Sequence, residues 1–171
     1  PDLSEYEKIV RTNIGGLGCK ISFEPGRYLV GEAGVLITKI IYVKQGSEKR
    51  FIVVDGAMND LIRPTLYDGY HDIVPVLENR LGSAETISDV VGPICESGDY
   101  LAKDRLLPAL GQNELLAIKC VGAYGAVMSS NYNSRPLIPE VLVCGDKFSI
   151  IRERQTFEET IQKERIPEWL K

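Results

Sequence analysis

The chain has 171 residues, a formal net charge of −4 and 44% hydrophobic residues. This length suits one domain with a sizeable core, and the interspersed charges form no basic stripe of the kind that binds nucleic acid. No stretch approaches the roughly 18 consecutive apolar residues that a membrane span needs, and the first residues lack a signal-peptide pattern. We therefore expect a cytoplasmic protein without nucleic-acid or membrane partners.

The cysteines do not predict a metal site. Cys19, Cys95, Cys120 and Cys144 are widely spaced, and His71 is the only histidine, so no set of ligands has the spacing of a zinc site. In a chain without an export signal these cysteines are expected to be free thiols. Three of them lie in or beside apolar runs and are expected to be small buried residues, whereas Cys95 lies among turn residues.

Capping boxes predict one helix near each end of the chain. Ser4 with Glu7 would begin the first helix, which the glycine pair at 15–16 would end. Thr156 with Glu159 would begin the second.

Most of the sequence between these helices is strand-like. Segments rich in Val, Ile and Leu alternate with clusters of Gly, Pro and Asp, which is typical of a closed or sandwiched antiparallel β domain. The predicted fold class is therefore mainly β, an antiparallel β-barrel or sandwich with short helices. The predicted strands cover residues 20–24, 34–44, 50–55, 72–77, 86–91, 114–121, 139–143 and 147–152.

The first helix and strand stand apart from this β pattern. A single αβ unit cannot cover a parallel strand on both faces. We therefore expect residues 1–27 to be the remnant of a preceding domain and residues 28–171 to be the β domain with its terminal helix.

A thiol and a carboxylate lie in a turn tightened by glycines at 91–99. Cys95 and Glu96 can donate or accept protons, while Gly92, Pro93 and Gly98 hold the backbone in conformations that ordinary strands avoid. Such a turn is typical of a reactive site.

The segment Glu24, Pro25, Gly26 and Arg27 places a glycine amide beside a cation at the end of a predicted strand. Exposed backbone N–H groups next to a cation form an anion site. A turn with a surface salt bridge is the alternative.

Aromatic and polar side chains further along the chain are also candidates. Arg63 and Tyr67 are four residues apart, so in a helical turn they could hold a carboxylate together, or merely pack on one another. Tyr124 lies between small residues that leave room for a ligand, or is a core aromatic. The polar segment 129–136 is long enough to be a functional loop, although spacing assigns no role to its members. His71 is expected to be a structural or surface histidine rather than a base.

Together these motifs resemble the carboxy-terminal part of diaminopimelate decarboxylase, a pyridoxal-phosphate enzyme of the alanine racemase-like fold type. The resemblance runs in order over nearly the whole chain. It rests on E-P-G-R at 24–27, V-D-G-A-M-N-D-L-I-R-P-T-L-Y-D at 54–68, V-V-G-P-I-C-E-S-G-D at 90–99, G-A-Y-G-A-V-M-S-S-N-Y-N-S-R-P at 122–136 and P-E-V-L-V at 139–143.

The resemblance implies decarboxylation of meso-diaminopimelate to L-lysine with pyridoxal 5'-phosphate, in a homodimer whose sites are shared between subunits. Cys95 matches the catalytic thiol, which family members present to the partner's site. Glu96 matches the residue that recognises the distal ammonium of the substrate.

Further roles follow from the same resemblance. Arg27 and Arg63, with Tyr67 beside them, match the residues that bind the distal carboxylate of the substrate. The backbone around Glu24, Pro25, Gly26 and Arg27 matches the loop near the cofactor phosphate. Tyr124 matches a tyrosine beside both cofactor and substrate.

The family's Schiff-base lysine lies on an early strand of an amino-terminal (β/α)8 barrel, of which residues 1–27 would be the remnant. No lysine here has a matching context, and the barrel's glycine-rich phosphate loop is missing. We therefore expect this chain alone to be inactive and to bind the cofactor weakly or not at all. A decarboxylase of ornithine, arginine or carboxynorspermidine, and a non-catalytic regulatory β domain, remain as alternatives.

Overall fold

The computed structural model describes residues 2–80 and 82–170, which form a mainly β structure with few short helices. The strands are β1 Leu36–Gln45, β2 Arg50–Val54, β3 Ile73–Pro75, β4 Glu85–Val91, β5 Tyr100–Pro108, β6 Leu115–Ile118, β7 Glu140–Cys144 and β8 Lys147–Arg152. The α-helices are α1 Leu3–Ile14, α2 Arg27–Val30, α3 Arg63–Tyr67 and α4 Phe157–Ile161. Single 3₁₀ turns cover Gly31–Ala33, Glu78–Arg80, Ala126–Met128, Tyr132–Ser134 and Glu168–Leu170.

Six strands form one nearly closed sheet in the order β3-β6-β1-β2-β4-β5, and β7 and β8 form a separate hairpin. All pairs in the large sheet are antiparallel except β2 with β4, in which Ile52 lies opposite Val90 in parallel register. The expected mainly β class is confirmed, and the large sheet is mixed because it contains this one parallel pair. A parallel pair needs a crossover connection, and the segment between β2 and β4, which contains α3 and β3, provides it.

The core lies inside the large sheet. Alternate residues of β2 are buried, as expected for a strand with one face on the core. The core side chains include Ile40, Ile52, Val90, Leu101 and Leu116, from five different strands, and all are almost completely buried. The sheet therefore fixes the positions from which the β4–β5 loop and α3 extend.

The predicted capping boxes have different outcomes. The box of Thr156 and Glu159 at the start of α4 is confirmed, with both reciprocal hydrogen bonds present. The box at Ser4 is wrong, because α1 begins two residues earlier than this box requires, and Asp2 caps it by accepting from the Ser4 N–H at 2.9 Å.

The predicted strands agree with the structure to within a few residues, except at two places. The strand at 20–24 is wrong: those residues are described as irregular, without a ladder partner in the described sheets. Strand β5 was not predicted, because Lys103, Asp104 and Arg105 interrupt its apolar pattern and Asp104 has a positive φ of 52°.

The expectation of free thiols is confirmed. Burial of the cysteines outside the turn is wrong, because Cys19 and Cys144 are exposed and Cys120 is partly exposed. Their neighbouring apolar runs are not core: none of the described residues of α1 is buried, and both faces of the β7–β8 hairpin are largely exposed.

No helix in the described part of the chain is long and apolar enough to cross a membrane. The assignment of residues 1–27 to a preceding domain and 28–171 to the β domain stays a prediction. Its outer limits, Pro1 and Lys171, lie outside the described residues.

Candidate active site

The loop that carries Cys95 joins β4 to β5 and is held by one buried carboxylate. Asp99 accepts hydrogen bonds from the backbone N–H of Met58 at 2.7 Å and of Ile94 at 2.6 Å. Its backbone carbonyl accepts from the N–H of Gly92 at 3.0 Å, and a Cβ at Gly92 would collide with the Asp99 carboxylate. Cys95 itself is exposed. The thiol is therefore presented to the outside from a rigid loop.

Helix α3 packs against the same loop. The hydroxyl of Thr65 donates to the carbonyl of Gly98 at 2.5 Å, and a Cβ at Gly98 would lie 2.8 Å from the Thr65 methyl group. Arg63 and Tyr67 are the first and last residues of this helix, so the condition under which the two could act together is met. Tyr67 is largely exposed. Because α3 contacts the Cys95 loop, any ligand held by Arg63 has a fixed position relative to that loop.

The Arg63 guanidinium lies near the ring of Tyr124, with 5.9 Å between its Cζ and the ring centroid. Its Nη1 atom is buried and has no hydrogen-bond partner within residues 2–80 and 82–170. A buried guanidinium donor without a partner is costly. This atom is available to a further acceptor.

The segment 24–27 lies beside the same tyrosine. A Cβ at Gly26 would lie 3.0 Å from the Tyr124 hydroxyl, so the backbone and the phenol approach closely. Gly26 immediately precedes α2, in which Arg27 is the first residue. Tyr124 has a positive φ of 60°, a conformation that costs energy for an aromatic residue and is typical of functional positions. The structure thus brings together Gly26, Arg27, Arg63 and Tyr124, which we call the arginine–tyrosine cluster.

Glu96 is oriented by a residue that the sequence analysis did not single out. Tyr132 donates from its hydroxyl to Glu96 at 3.2 Å, and the N–H of Gly98 donates to the other Glu96 oxygen at 3.1 Å. The hydrogen bond to Glu96, followed by the Glu96 charge, raises the pKa of Tyr132. We call Cys95, Glu96 and Tyr132 the thiol–carboxylate group.

The loop 129–136, which contains Tyr132, is fixed to the turn after β2. Ser130 and Asn59 exchange two hydrogen bonds, at 3.0 and 2.9 Å. Arg135 donates to the Asn59 side chain at 2.9 Å and to the carbonyl of Asp55 at 2.6 Å. The neighbouring Asp60 is almost completely buried, and burial raises the pKa of its carboxyl group. These contacts position Tyr132 against Glu96.

The candidate residues therefore form two groups rather than one. Within the described ranges, no hydrogen bond links the arginine–tyrosine cluster to the thiol–carboxylate group. Helix α3 contacts both groups, because it contains Arg63 and because its Thr65 donates a hydrogen bond to Gly98 in the Cys95 loop. The described residues contain no cluster of three or more His, Cys, Asp or Glu side chains suited to a metal ion.

A family model described as the carboxy-terminal sheet domain of pyridoxal-dependent decarboxylase matches residues 27–122. The chain belongs to this family. It is 46% identical over 171 residues to the diaminopimelate decarboxylase of Zymomonas mobilis, covering 99% of this chain and 40% of the relative. It is 49% identical over 164 residues to that of Neisseria meningitidis serogroup A, covering 96% and 40%.

Solved structures agree with these relatives. Diaminopimelate decarboxylase from Helicobacter pylori, complexed with L-lysine, matches with a TM-score of 0.81 and 41% identity over 95% of this chain and 39% of that one. The resemblance to diaminopimelate decarboxylase is confirmed. The chain spans about two fifths of the length of the curated relatives it matches.

Pyridoxal phosphate and amino-acid substrates both carry anionic groups, and the arginine–tyrosine cluster fits such groups. It offers the unpartnered Nη1 of Arg63 in the described part of the chain and the space beside Gly26 that a side chain would fill. A guanidinium presents its donors in a planar fork that matches carboxylate or phosphate oxygens. The cluster is therefore chemically suited to one side of an anion site.

Proposed function

We propose that this chain acts as the carboxy-terminal part of a pyridoxal-phosphate-dependent decarboxylase that converts meso-diaminopimelate to L-lysine and carbon dioxide. The observation that carries the proposal is the 46% identity to a diaminopimelate decarboxylase along 99% of the chain. The binding of L-lysine by the structural relative from Helicobacter pylori supports the same substrate class.

The arginine–tyrosine cluster binds the distal carboxylate of the substrate. Arg63 contributes its free Nη1 donor, and Arg27 adds a second positive charge beside Gly26. Tyr67 projects from the same helix as Arg63 and closes the site on its exposed side. Two cations are well matched to a carboxylate, and the planar fork of arginine fixes its orientation.

The cofactor is held near the same cluster. The backbone of Glu24, Pro25, Gly26 and Arg27 lies near its phosphate, and Tyr124 lies beside both cofactor and substrate. When bound, pyridoxal phosphate serves as the sink for the electrons released as carbon dioxide departs. The positive φ of Tyr124 supports this role, because strained backbone is retained where it positions a ligand.

The thiol–carboxylate group completes the site of a second subunit in a homodimer. Cys95 donates a proton to the substrate carbon after carbon dioxide has left, and Glu96 binds the distal ammonium. The hydrogen bond from Tyr132 holds the Glu96 carboxylate in one orientation. The exposure of Cys95 supports this arrangement, since a thiol that serves another subunit must be accessible from outside its own chain.

Catalysis in this arrangement also needs residues that the 171-residue chain does not contain. The cofactor-binding lysine and the phosphate loop come from an amino-terminal barrel, so the 171-residue chain alone has no decarboxylase activity and binds pyridoxal phosphate weakly or not at all. The complete enzyme is cytoplasmic.

The proposal is tested by Arg63→Ala in the full-length polypeptide encoded by the gene of this chain. L-Lysine keeps the distal carboxylate, because decarboxylation removes the carboxylate of the reacting carbon, whereas the diamine cadaverine keeps both ammonium groups and has no carboxylate. The substitution should raise KM for meso-diaminopimelate by about tenfold to a hundredfold, while the inhibition constant of cadaverine changes less than about threefold.

The matched control is Arg11→Ala, which removes an exposed arginine of α1 that pairs only with Glu7 among the described residues. It should leave both constants unchanged. Equal losses of affinity for meso-diaminopimelate and cadaverine would contradict the carboxylate role of Arg63. A wild-type enzyme that decarboxylates ornithine or arginine but not meso-diaminopimelate would contradict the substrate assignment.

A further inference from the structure

The only histidine of the chain is within reach of the charges of Arg63 and Arg27 and has no role in the proposed function. His71 is 1% exposed. Its Nδ1 atom lies 2.9 Å from the carbonyl oxygen of Lys119. Because a carbonyl can only accept, Nδ1 bears the proton and donates to it, and Nε2 of the neutral ring presents a lone pair.

The surroundings of His71 keep the ring neutral. Burial is the main cause that lowers the pKa of His71; the hydrogen bond to Lys119 opposes it, and the charges of Arg63, Arg27 and Arg105 lower the pKa further. Three cations therefore act on this ring from α3, α2 and β5. A neutral imidazole is the form in which Nε2 can accept a hydrogen bond.

Two buried polar atoms lack partners in the part of the chain that the structure describes, and the charge of one residue acts on the ring of the other. One is the acceptor Nε2 of His71, and the other is the donor Nη1 of Arg63. The backbone brings their residues together, because the N–H of Gly69 donates to the Arg63 carbonyl at 3.1 Å and the chain reaches His71 two residues later. The two atoms are complementary in hydrogen bonding, and each is otherwise costly to bury.

We propose that His71 is a positioning residue for Arg63, and that its Nε2 accepts a hydrogen bond from Arg63 Nη1 when the guanidinium binds the substrate carboxylate. This inference rests on the proposed function of Arg63. Nη1 carries two hydrogens, so one can bind His71 while the other, with the remaining guanidinium donors, binds the ligand beside Tyr124. A neutral acceptor also leaves the positive charge of Arg63 available, whereas an aspartate or glutamate in this position would compete with the substrate.

The first test needs no enzyme activity. His71 is the only histidine, so ¹⁵N-histidine labelling of the 171-residue chain gives a single imidazole in the NMR spectrum. At pH 7, Nδ1 should be protonated and Nε2 unprotonated. A protonated Nε2 could not accept a hydrogen bond from Arg63 and would overturn the proposal.

The second test compares two substitutions in the full-length enzyme. His71→Asn retains a donor near the Nδ1 position for the Lys119 carbonyl but has no acceptor in place of Nε2, whereas His71→Gln has an acceptor near the Nε2 position. His71→Asn should raise KM for meso-diaminopimelate about tenfold, with kcat changed less than about threefold. His71→Gln should recover most of this loss.

A purely structural role for His71 gives a different pattern. The asparagine variant, which keeps the hydrogen bond to Lys119, would then behave like wild type, and this result would overturn the proposal. An equal rise in KM for meso-diaminopimelate in His71→Asn and His71→Gln would also overturn the proposal. Failure of the proposed function gives a different result, because the wild-type enzyme would then not use meso-diaminopimelate at all. The NMR spectrum would still report whether Nε2 of His71 is unprotonated.

Discussion

The Asp99 carboxylate is the single group on which the order of the Cys95 loop depends most, and Asp99→Asn tests this. The carboxylate is 4% exposed and accepts from two backbone N–H groups at 2.7 and 2.6 Å. An asparagine amide keeps only one acceptor and turns an NH₂ group toward the second N–H. Hydrogen bonds to charged groups contribute about 1.5–3 kcal/mol, so the free energy of unfolding should fall by about 3 kcal/mol, which includes the penalty for an unsatisfied buried donor.

Urea unfolding of the 171-residue chain, followed by circular dichroism, measures this loss. With a denaturant slope of about 2 kcal/mol per molar urea, the midpoint should fall by about 1.5 M. The control is Asp146→Asn, which removes the same charge from the exposed turn between β7 and β8 and should change stability by less than about 0.5 kcal/mol. If Asp99→Asn unfolds at the same urea concentration as Asp146→Asn, the carboxylate does not hold the loop.

Two further predictions concern stability. Gly122→Ala should strongly destabilise the chain, because its Cβ would collide with the Val30 carbonyl, whereas Gly16→Ala, with nothing within 4 Å of its Cβ, should be neutral in the same urea assay. The lowered pKa of His71 means that the unfolded chain takes up a proton near pH 6.5 before the folded chain does. Stability should therefore decrease as pH falls below 6.5, with a contribution from His71 of at most about 1.4 kcal/mol per pH unit. The difference in unfolding free energy between wild type and His71→Asn should change with pH in this range, and a constant difference would contradict a buried neutral histidine.

Local signals in the sequence were sufficient for the elements that depend on neighbouring residues. The capping box at Thr156 and most strands could be predicted because capping and alternation act over a few residues. The strand at 20–24 was wrong because a strand also needs a partner, and β5 was missed because charged residues interrupt it.

The residues that organise the site were harder to predict because their partners are distant in the chain. Asp99 is 41 residues from Met58, and Tyr132 is 36 residues from Glu96. Family motifs identified Glu96 as a candidate but gave no indication of Tyr132. The length of the polar segment 129–136 made it a candidate functional loop, and only the folded contacts distinguish the member that binds Glu96.

The measurement that most directly tests the account is the product analysis of the full-length polypeptide with meso-diaminopimelate and pyridoxal phosphate. We predict equimolar release of carbon dioxide and L-lysine, with a large loss of kcat in Cys95→Ala and no activity from the 171-residue chain alone. Turnover by the isolated chain, or a full-length wild-type protein that releases no carbon dioxide from meso-diaminopimelate, would contradict the central claim.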